Sequence, residues 1–318
     1  MAKRSADEIL ELLRARVSRW HLKQRLGLEQ DHEAKVFGQG RTFFHIENWY
    51  SFHAVIRNVF RLMFLHGRGK RNARRIQLRH NIFQSSKLCK EFDGYTILHL
   101  SDLHLDMAPD MTEVLSKAIG DLDYDICVIT GDLRAQTFGD SDQTIDCMRQ
   151  LVEKISRPVY LVLGNHDSIT MVPALEQLNI KVLLNEAVEL KKENASIYIA
   201  GIDDPHYFRA DNIERASDQI PDEVFTILLA HSPEIYRHAA FTDFDVMLCG
   251  HTHGGQICLP GGIPVMYNAD CPRRMCAGSW RYKDLQGYTS VGSGSCVVDL
   301  RFNCHPEVTL HQLEWVKE

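Results

Sequence analysis

The chain has 318 residues, 44% of them hydrophobic, enough for one large domain with a full core or for a domain with an extension. Its net charge of −6 is unevenly spread: residues 1–90 carry +12 and the remainder −18, which suggests a basic arm, with a membrane surface or nucleic acid as its partner, on an acidic body. The nine cysteines form no C-x-x-C pair, Met1 to Leu13 lack the apolar core of a signal peptide, and no stretch of about 18 uncharged apolar residues exists, so a disulfide framework, a secretory leader and a spanning helix are not expected.

In chain order, residues 5–26 have a helical pattern. Ser5 and Glu8 form a capping box, and Ile9, Leu12, Leu13 and Val17 recur at helical spacing. Residues 27–48 have no clear period and are read as irregular. From Trp49 to Leu65 an amphipathic helix is expected, with Trp49, Phe52, Val55, Ile56, Val59, Phe60, Met63 and Phe64 on one side and Arg57, Asn58 and Arg61 on the other. Arg68, Lys70, Arg71, Arg74 and Arg75 follow. An aromatic-rich helix beside a basic cluster has the pattern of an interfacial anchor, and residues 49–75 would then meet an anionic membrane surface. A helix that docks its apolar face on the body fits the same residues. Nucleic-acid binding by the arm is the weaker reading, and no nucleic-acid partner is expected.

From Tyr95 onward, strands alternate with helices, the pattern of an α/β fold. Apolar runs at Tyr95 to Leu100, Ile126 to Thr130, Val159 to Leu163, Phe225 to Leu229 and Val246 to Cys249 read as buried strands. Helices are expected near 111–122, 142–155 and 171–179, and further strands near 181–184, 187–191, 196–201 and within 288–313. Residues 1–92 are therefore read as a helical, basic extension and residues 93–318 as the α/β domain.

Each of the five apolar runs ends in residues suited to binding a metal: Asp102 and His104; Asp132; Asn165 with His166; His231; His251 and His253. A single H-x-H is as well explained by a polar turn, but five such strand ends do not arise by chance. In open α/β sheets, sites gather at the carboxyl ends of strands. Along an extended segment side chains alternate, so His251 and His253 are expected to point the same way, as are Asp102 and His104. Asp132 could bridge two ions through its two oxygens, and Asn165 offers an amide oxygen. Imidazole, carboxylate and amide oxygen without thiolate suit Mn, Fe, Zn or Co. Two such divalent ions would clamp a phosphoryl group and activate a water.

The order D-x-H, G-D, G-N-H-D, H, G-H-x-H resembles the calcineurin-like metallophosphoesterase superfamily over about residues 95–256. That resemblance implies a four-layer αββα sandwich. It implies one ion on Asp102, His104, Asp132 and His253, and a second on Asp132, Asn165, His231 and His251. It implies His166 as general acid or transition-state stabiliser, with Asp167 orienting His166. Gly254-Gly255-Gln256 and Arg301-Phe302-Asn303-Cys304-His305-Pro306-Glu307 are similar to a bacterial, membrane-associated branch that includes UDP-2,3-diacylglucosamine hydrolases. The expected function is therefore hydrolysis of a phosphoester or phosphoanhydride, on a phosphorylated small molecule or a lipid-linked substrate, by a cytoplasmic protein peripheral on the inner face of the membrane. A soluble phosphodiesterase acting on a cyclic nucleotide is the alternative, followed by a non-catalytic scaffold. Arg134 could touch substrate phosphate, Asp203, His206 and Tyr207 could line a pocket, and Arg273 and Arg274 could rim it; each fits a plain surface loop as well.

Overall fold

The computed structural model describes residues 5–36 and 50–317. Two six-stranded sheets form its centre. The first runs β1 (Gln77–Ser85), β14 (Glu307–Trp315), β2 (Thr96–Leu100), β3 (Ile126–Ile129), β4 (Val159–Leu161), β5 (Ile180–Val182). The second runs β12 (Gly278–Tyr282), β13 (Leu285–Thr289), β9 (Val246–Cys249), β8 (Thr226–Leu229), β7 (Ala195–Gly201), β6 (Glu186–Lys192). Strands β2 to β5 are parallel in one sheet, and β7, β8, β9 and β13 in the other.

Side-chain alternation divides the interior into three cores. Ile97, Val128, Ile227, Leu229, Val246 and Leu248 meet between the sheets. Leu98, Leu100, Cys127 and Ile129 face helices α5 (Met111–Ile119), α6 (Asp142–Val152) and α7 (Val172–Glu176). Leu228, Met247 and Cys249 face α8 (Ile213–Ser217) and α9 (Tyr236–Phe241). Helices, sheet, sheet, helices is the αββα order. Both faces of each sheet are covered, which is why the central strands read as unbroken apolar runs.

The N-terminal segment is part of this body. Helix α1 (Ala6–Arg16) starts at the Ser5–Glu8 capping box and buries Leu13 in the outer core. The helix ends at Val17, which is extended, and Ser18 Oγ accepts from His21 N to start α2 (Arg19–Val36). Of residues 27–48, read as irregular, 27–36 thus continue a helix, and 37–48 lie outside the described residues. The face that α2 turns to the body is partly charged: Arg25 is fully buried. Its Nε donates to Asp203 Oδ1 (3.2 Å), its Nη2 to the Asp167 carbonyl (2.7 Å), and its guanidinium lies 3.4 Å from the Phe208 ring centre. Glu29 accepts from Ile169 N and Ser168 Oγ. Strand β1, within residues 1–92, is an edge strand of the first sheet; only Phe83 of it is buried, so no apolar run marks it. Strand β12 likewise carries no apolar run, with only Trp280 of it buried.

Helix α3 (Tyr50–Leu62) has the amphipathic character expected, although Trp49 lies outside the described residues. Ile56, Phe60 and Leu65 pack on Val298, Leu300 and Phe302, and the Phe60 and Phe302 rings stack with centroids 4.8 Å apart. Gly69, in α4 (His66–Ala73), permits this approach, since a Cβ there would lie 2.5 Å from the Phe302 ring. Val55, Val59, Leu62, Met63 and Phe64 remain exposed, Phe64 at 95%. Among the described residues, no helix is long and apolar enough to cross a membrane.

Removing one partner of a buried ion pair leaves the other charge uncompensated. Arg25→Ala is expected to lower stability by about 3–5 kcal/mol in denaturant unfolding, because Asp203 stays buried with only His21 beside it and Glu29 loses its cation. A loss below about 1 kcal/mol, the range of an exposed pair, would mean that α2 is not docked as described.

Candidate metal centre

The residues singled out at the strand ends converge. His231 Nε2 lies 2.8 Å from Asn165 Oδ1 and 3.3 Å from Asp132 Oδ2. His251 Nδ1 lies 2.9 Å from Asn165 Oδ1 and 3.2 Å from His231 Nε2. Beside them, His253 Nε2 lies 3.2 Å from His104 Nε2 and 3.4 Å from Asp102 Oδ1, and His104 Nε2 lies 3.8 Å from Asp132 Oδ2. Two atoms each about 2.1 Å from a shared ion at tetrahedral or octahedral angles stand roughly 3.0–3.4 Å apart, so these separations fit coordination. Asp132 belongs to both neighbouring clusters, Asp102–His104–Asp132 and Asp132–His231–His251.

The tautomers also fit. His104 Nδ1 donates to the Arg134 carbonyl, His231 Nδ1 to that of Thr130, and His251 Nε2 to that of Asn268. A carbonyl only accepts, so the proton sits on that nitrogen and the other turns its lone pair into the cluster. The electrostatics favour positive charge. Burial opposes a charge on His231, yet the carboxylates of Asp132, Asp102 and Asp204 outweigh it and lift the imidazole to about 10, so its Nε2 takes up a second proton at neutral pH and frees its lone pair only as a metal ion replaces that proton. Burial would raise Asp132, but His231, His166 and His104 hold it well below the usual carboxylate range. Burial lowers His104 to about 4 and keeps His253 neutral. Residues that attract a cation this strongly, with lone pairs converging, fit divalent metal ions.

The two D/H-x-H pairs are not extended. Asp102, His104, Asp132, His251 and His253 all have positive φ, between 40° and 70°. The expectation of shared direction for His251 and His253 is therefore corrected: the turn sends His251 toward Asn165 and His231, and His253 toward His104 and Asp102. Backbone in this region costs roughly 1–3 kcal/mol per residue and persists only where the surroundings enforce it. Glycine gives the needed clearance. A Cβ on Gly164 would lie 2.2 Å from Asp132 Oδ1, and one on Gly250 1.8 Å from Ser101 Oγ.

His166 borders the centre but belongs to none of the residue groups placed to hold a metal. Its Nδ1 hydrogen-bonds the Ala135 carbonyl, and its Nε2 lies 3.9 Å from Asp132 Oδ2. The expectation that Asp167 orients His166 is also corrected. The Asp167 carboxylate accepts from the backbone N–H groups of Asp132, Leu133 and Gly164, so it ties two strand-end loops together. Arg134 is buried, donating to the His166 carbonyl, and is not a solvated charge. Asp203 pairs with Arg25 and His21. His206 packs on His251 with ring centroids 4.2 Å apart and hydrogen-bonds Glu234, while Tyr207 N donates to Asp204. Arg273 and Arg274 are exposed.

Sequence reasoning missed three supports. Ser101 Oγ donates to Asp102 Oδ2 at 2.6 Å. Arg301, fully buried, reaches the carbonyls of Val291 and Gly294 and brings Nη2 to 3.3 Å from His253 Nδ1. Gln256 holds the loop around Cys296. Their signal was present in the Ser101-Asp102, R-F-N-C-H-P-E and G-G-Q runs, but no spacing tied them to the site.

The comparisons agree with this geometry. The calcineurin-like phosphoesterase family profile matches residues 95–255. The chain is similar to the uncharacterized metallophosphoesterase YkoQ of Bacillus subtilis, 32% identical, covering 68% of this chain and 83% of that protein. It is similar to the phosphodiesterase YaeI of Escherichia coli, 28% identical, covering 69% and 82%. A transmembrane protein with metallophosphoesterase domain from Bos taurus is 28% identical, covering 70% of this chain and 54% of its own length. On the family match and these relatives, the chain belongs to the calcineurin-like phosphoesterase family and is a metal-dependent hydrolase acting on phosphoester bonds.

Proposed function

We propose that the chain hydrolyses a phosphodiester or phosphoanhydride at a centre of two divalent ions. Asp102, His104, Asp132 and His253 would hold one, and Asp132, Asn165, His231 and His251 the other. The observation that carries this reading is Asp132, whose carboxylate belongs to both clusters. Ions bound there supply Lewis acidity and a water activated at neutral pH. The protein supplies the rest. The carbonyl of Ala135 accepts from His166 Nδ1, so Nε2 faces the centre, where the doubly protonated ring would give its Nε2 proton to the leaving oxygen and be left neutral with the Nδ1 proton. Asp167 holds the Asp132 and Gly164 loops in register, so the carboxylate and Asn165 keep their separation.

We propose further that the substrate is amphiphilic and met at an anionic membrane surface, with the protein peripheral on the inner face. The exposed apolar residues Val55, Val59, Leu62, Met63 and Phe64 support this, with Arg57, Arg61, Arg68, Lys70 and Arg71 exposed beside them. So does the hairpin of β10 (Cys258–Leu259) and β11 (Ile263–Pro264), which exposes Leu259, Ile263, Val265 and Met266. It is joined to the centre: a Cβ on Gly255 would touch Pro264, and Asn268 holds His251. A nucleotide-linked lipid such as UDP-2,3-diacylglucosamine has the required chemistry. The similarity to YaeI favours a soluble phosphodiester as the second reading.

Asp132→Asn should abolish hydrolysis of a model phosphodiester and lower the metal content, with an unchanged circular dichroism spectrum. His166→Asn should keep the metal and lose about 10²–10⁴ in rate. Full activity with two ions in the Asp132 variant would end the two-ion reading, and metal loss in the His166 variant would make that histidine a ligand.

In vesicle sedimentation, the protein should pellet with anionic lipid at low salt and be partly released at high salt, since each basic residue near such a surface contributes about 1 kcal/mol and salt screens it. Phe64→Asp should weaken this without changing the melting temperature, because Phe64 is exposed. No pelleting by the unmodified protein would leave the soluble substrate as the better reading.

A further inference from the structure

The loop that follows β13 passes close to His104 and His253. It brings in Cys296, which is 9% exposed. The Cys296 thiol and one nitrogen each of His104 and His253 all lie within 4.8 Å of one another. The Nε2 atoms of His104 and His253 are 3.2 Å apart. Sγ also lies 3.8 Å from His166 Nε2.

The cysteine is held there by a buried side-chain amide. Gln256 Nε2 donates to the carbonyls of Cys296 (2.8 Å) and Val298 (2.9 Å), and Gln256 Oε1 accepts from Cys296 N (2.8 Å). Between those carbonyls, Val297 sits at φ 65°, unfavourable for a β-branched residue. The glutamine of the G-G-Q run thus fixes which way the cysteine faces.

We propose that Cys296 is a thiolate ligand to the ion held by His104 and His253, and that Gln256 is its positioning residue. This rests on the metal-centre reading above. As the sulfur–metal bond forms, the S–H bond breaks and its proton leaves to solvent. A soft thiolate beside two imidazoles shifts this position toward Zn²⁺, Co²⁺ and Fe²⁺ and away from Mn²⁺. The ligand set therefore differs from the thiolate-free one expected from the strand ends alone.

Co²⁺ is the probe, because thiolate ligation adds a charge-transfer absorption in the near ultraviolet to the visible ligand-field bands. The full chain, stripped by chelator and titrated with Co²⁺, should show both. Cys296→Ser should keep the ligand-field bands and lose the charge-transfer band. Gln256→Ala should keep both and bind Co²⁺ about 10–100-fold more weakly, the usual cost of losing a group that orients a ligand. A band that survives Cys296→Ser comes from another cysteine and overturns the proposal. Ligand-field bands alone in the unmodified chain also overturn it, while the metal-centre reading stands; no cobalt uptake at all removes both. Should Cys296→Ser fail to fold, X-ray absorption on the zinc-loaded unmodified chain decides. A sulfur shell at about 2.3 Å is expected, and its absence ends the assignment.

Discussion

A carboxylate buried away from water is tolerated only where positive charge or hydrogen-bond donors meet it. Asp132 is that carboxylate here, 2% exposed, and the architecture around it follows from the need to satisfy it. Its Oδ1 accepts from the backbone N–H of His166, while its Oδ2 faces His231, His104 and His166. Three imidazoles from three different strand ends cannot reach one oxygen unless the strands run parallel and end together. The paired parallel sheets supply that, with β2, β3 and β4 in one and β8 and β9 in the other.

The same demand explains the backbone. To turn side chains from several strand ends toward one point, the chain must leave extended geometry at once, and Asp102, His104, Asp132, His251 and His253 do so with positive φ. Each such residue is unfavourable alone. They are kept in place by bonds that run between loops: Asp167 ties Gly164 to Asp132 and Leu133, and Gly292, Ser293 and Gly294 bring the last loop against Ser101, Asp102 and His253. A Cβ on Gly294 would lie 2.1 Å from the Leu103 carbonyl, so that crossing needs glycine. Strain at the centre is thus offset by bonds one layer out.

How much was legible follows from range. The five apolar runs and the residues ending them lie within a few positions of one another, so periodicity and punctuation located them together. The covered sheets could be read from Ile126 to Ile129 or Val246 to Cys249 because both faces are apolar. What failed to show was pairing at long separation. Arg25 meets Asp203 across 178 positions, and Gln256 meets Cys296 across 40, and neither leaves a periodic trace. Strand β1 was missed because one buried residue, Phe83, makes no pattern. The H-x-H geometry was misjudged because alternation holds only while the backbone stays extended.

The charge asymmetry has a double origin once partners are traced. Several cations of the basic arm meet acids of the body: Arg16 pairs with Glu176 and Glu186, Arg25 with Asp203, Arg74 with Asp110 and Asp299, and Lys87 with Asp245. Part of the +12 is therefore intramolecular complementarity, and it fixes α1, α2 and β1 to the sheets without any outside partner. Arg57, Arg61, Arg68, Lys70, Arg71 and Arg75 are exposed instead, and they cluster on α3, α4 and the turn beyond, beside Leu62, Met63 and Phe64. Helix α3 divides the same way, its Phe60 side closed on Phe302 and its Val59 side open. Docking, one of the two alternatives the sequence posed, takes one face of the helix, and the residues invoked for the proposed surface binding stay exposed on the other. Phe302 joins them to the centre, since its neighbour Arg301 sits against His253.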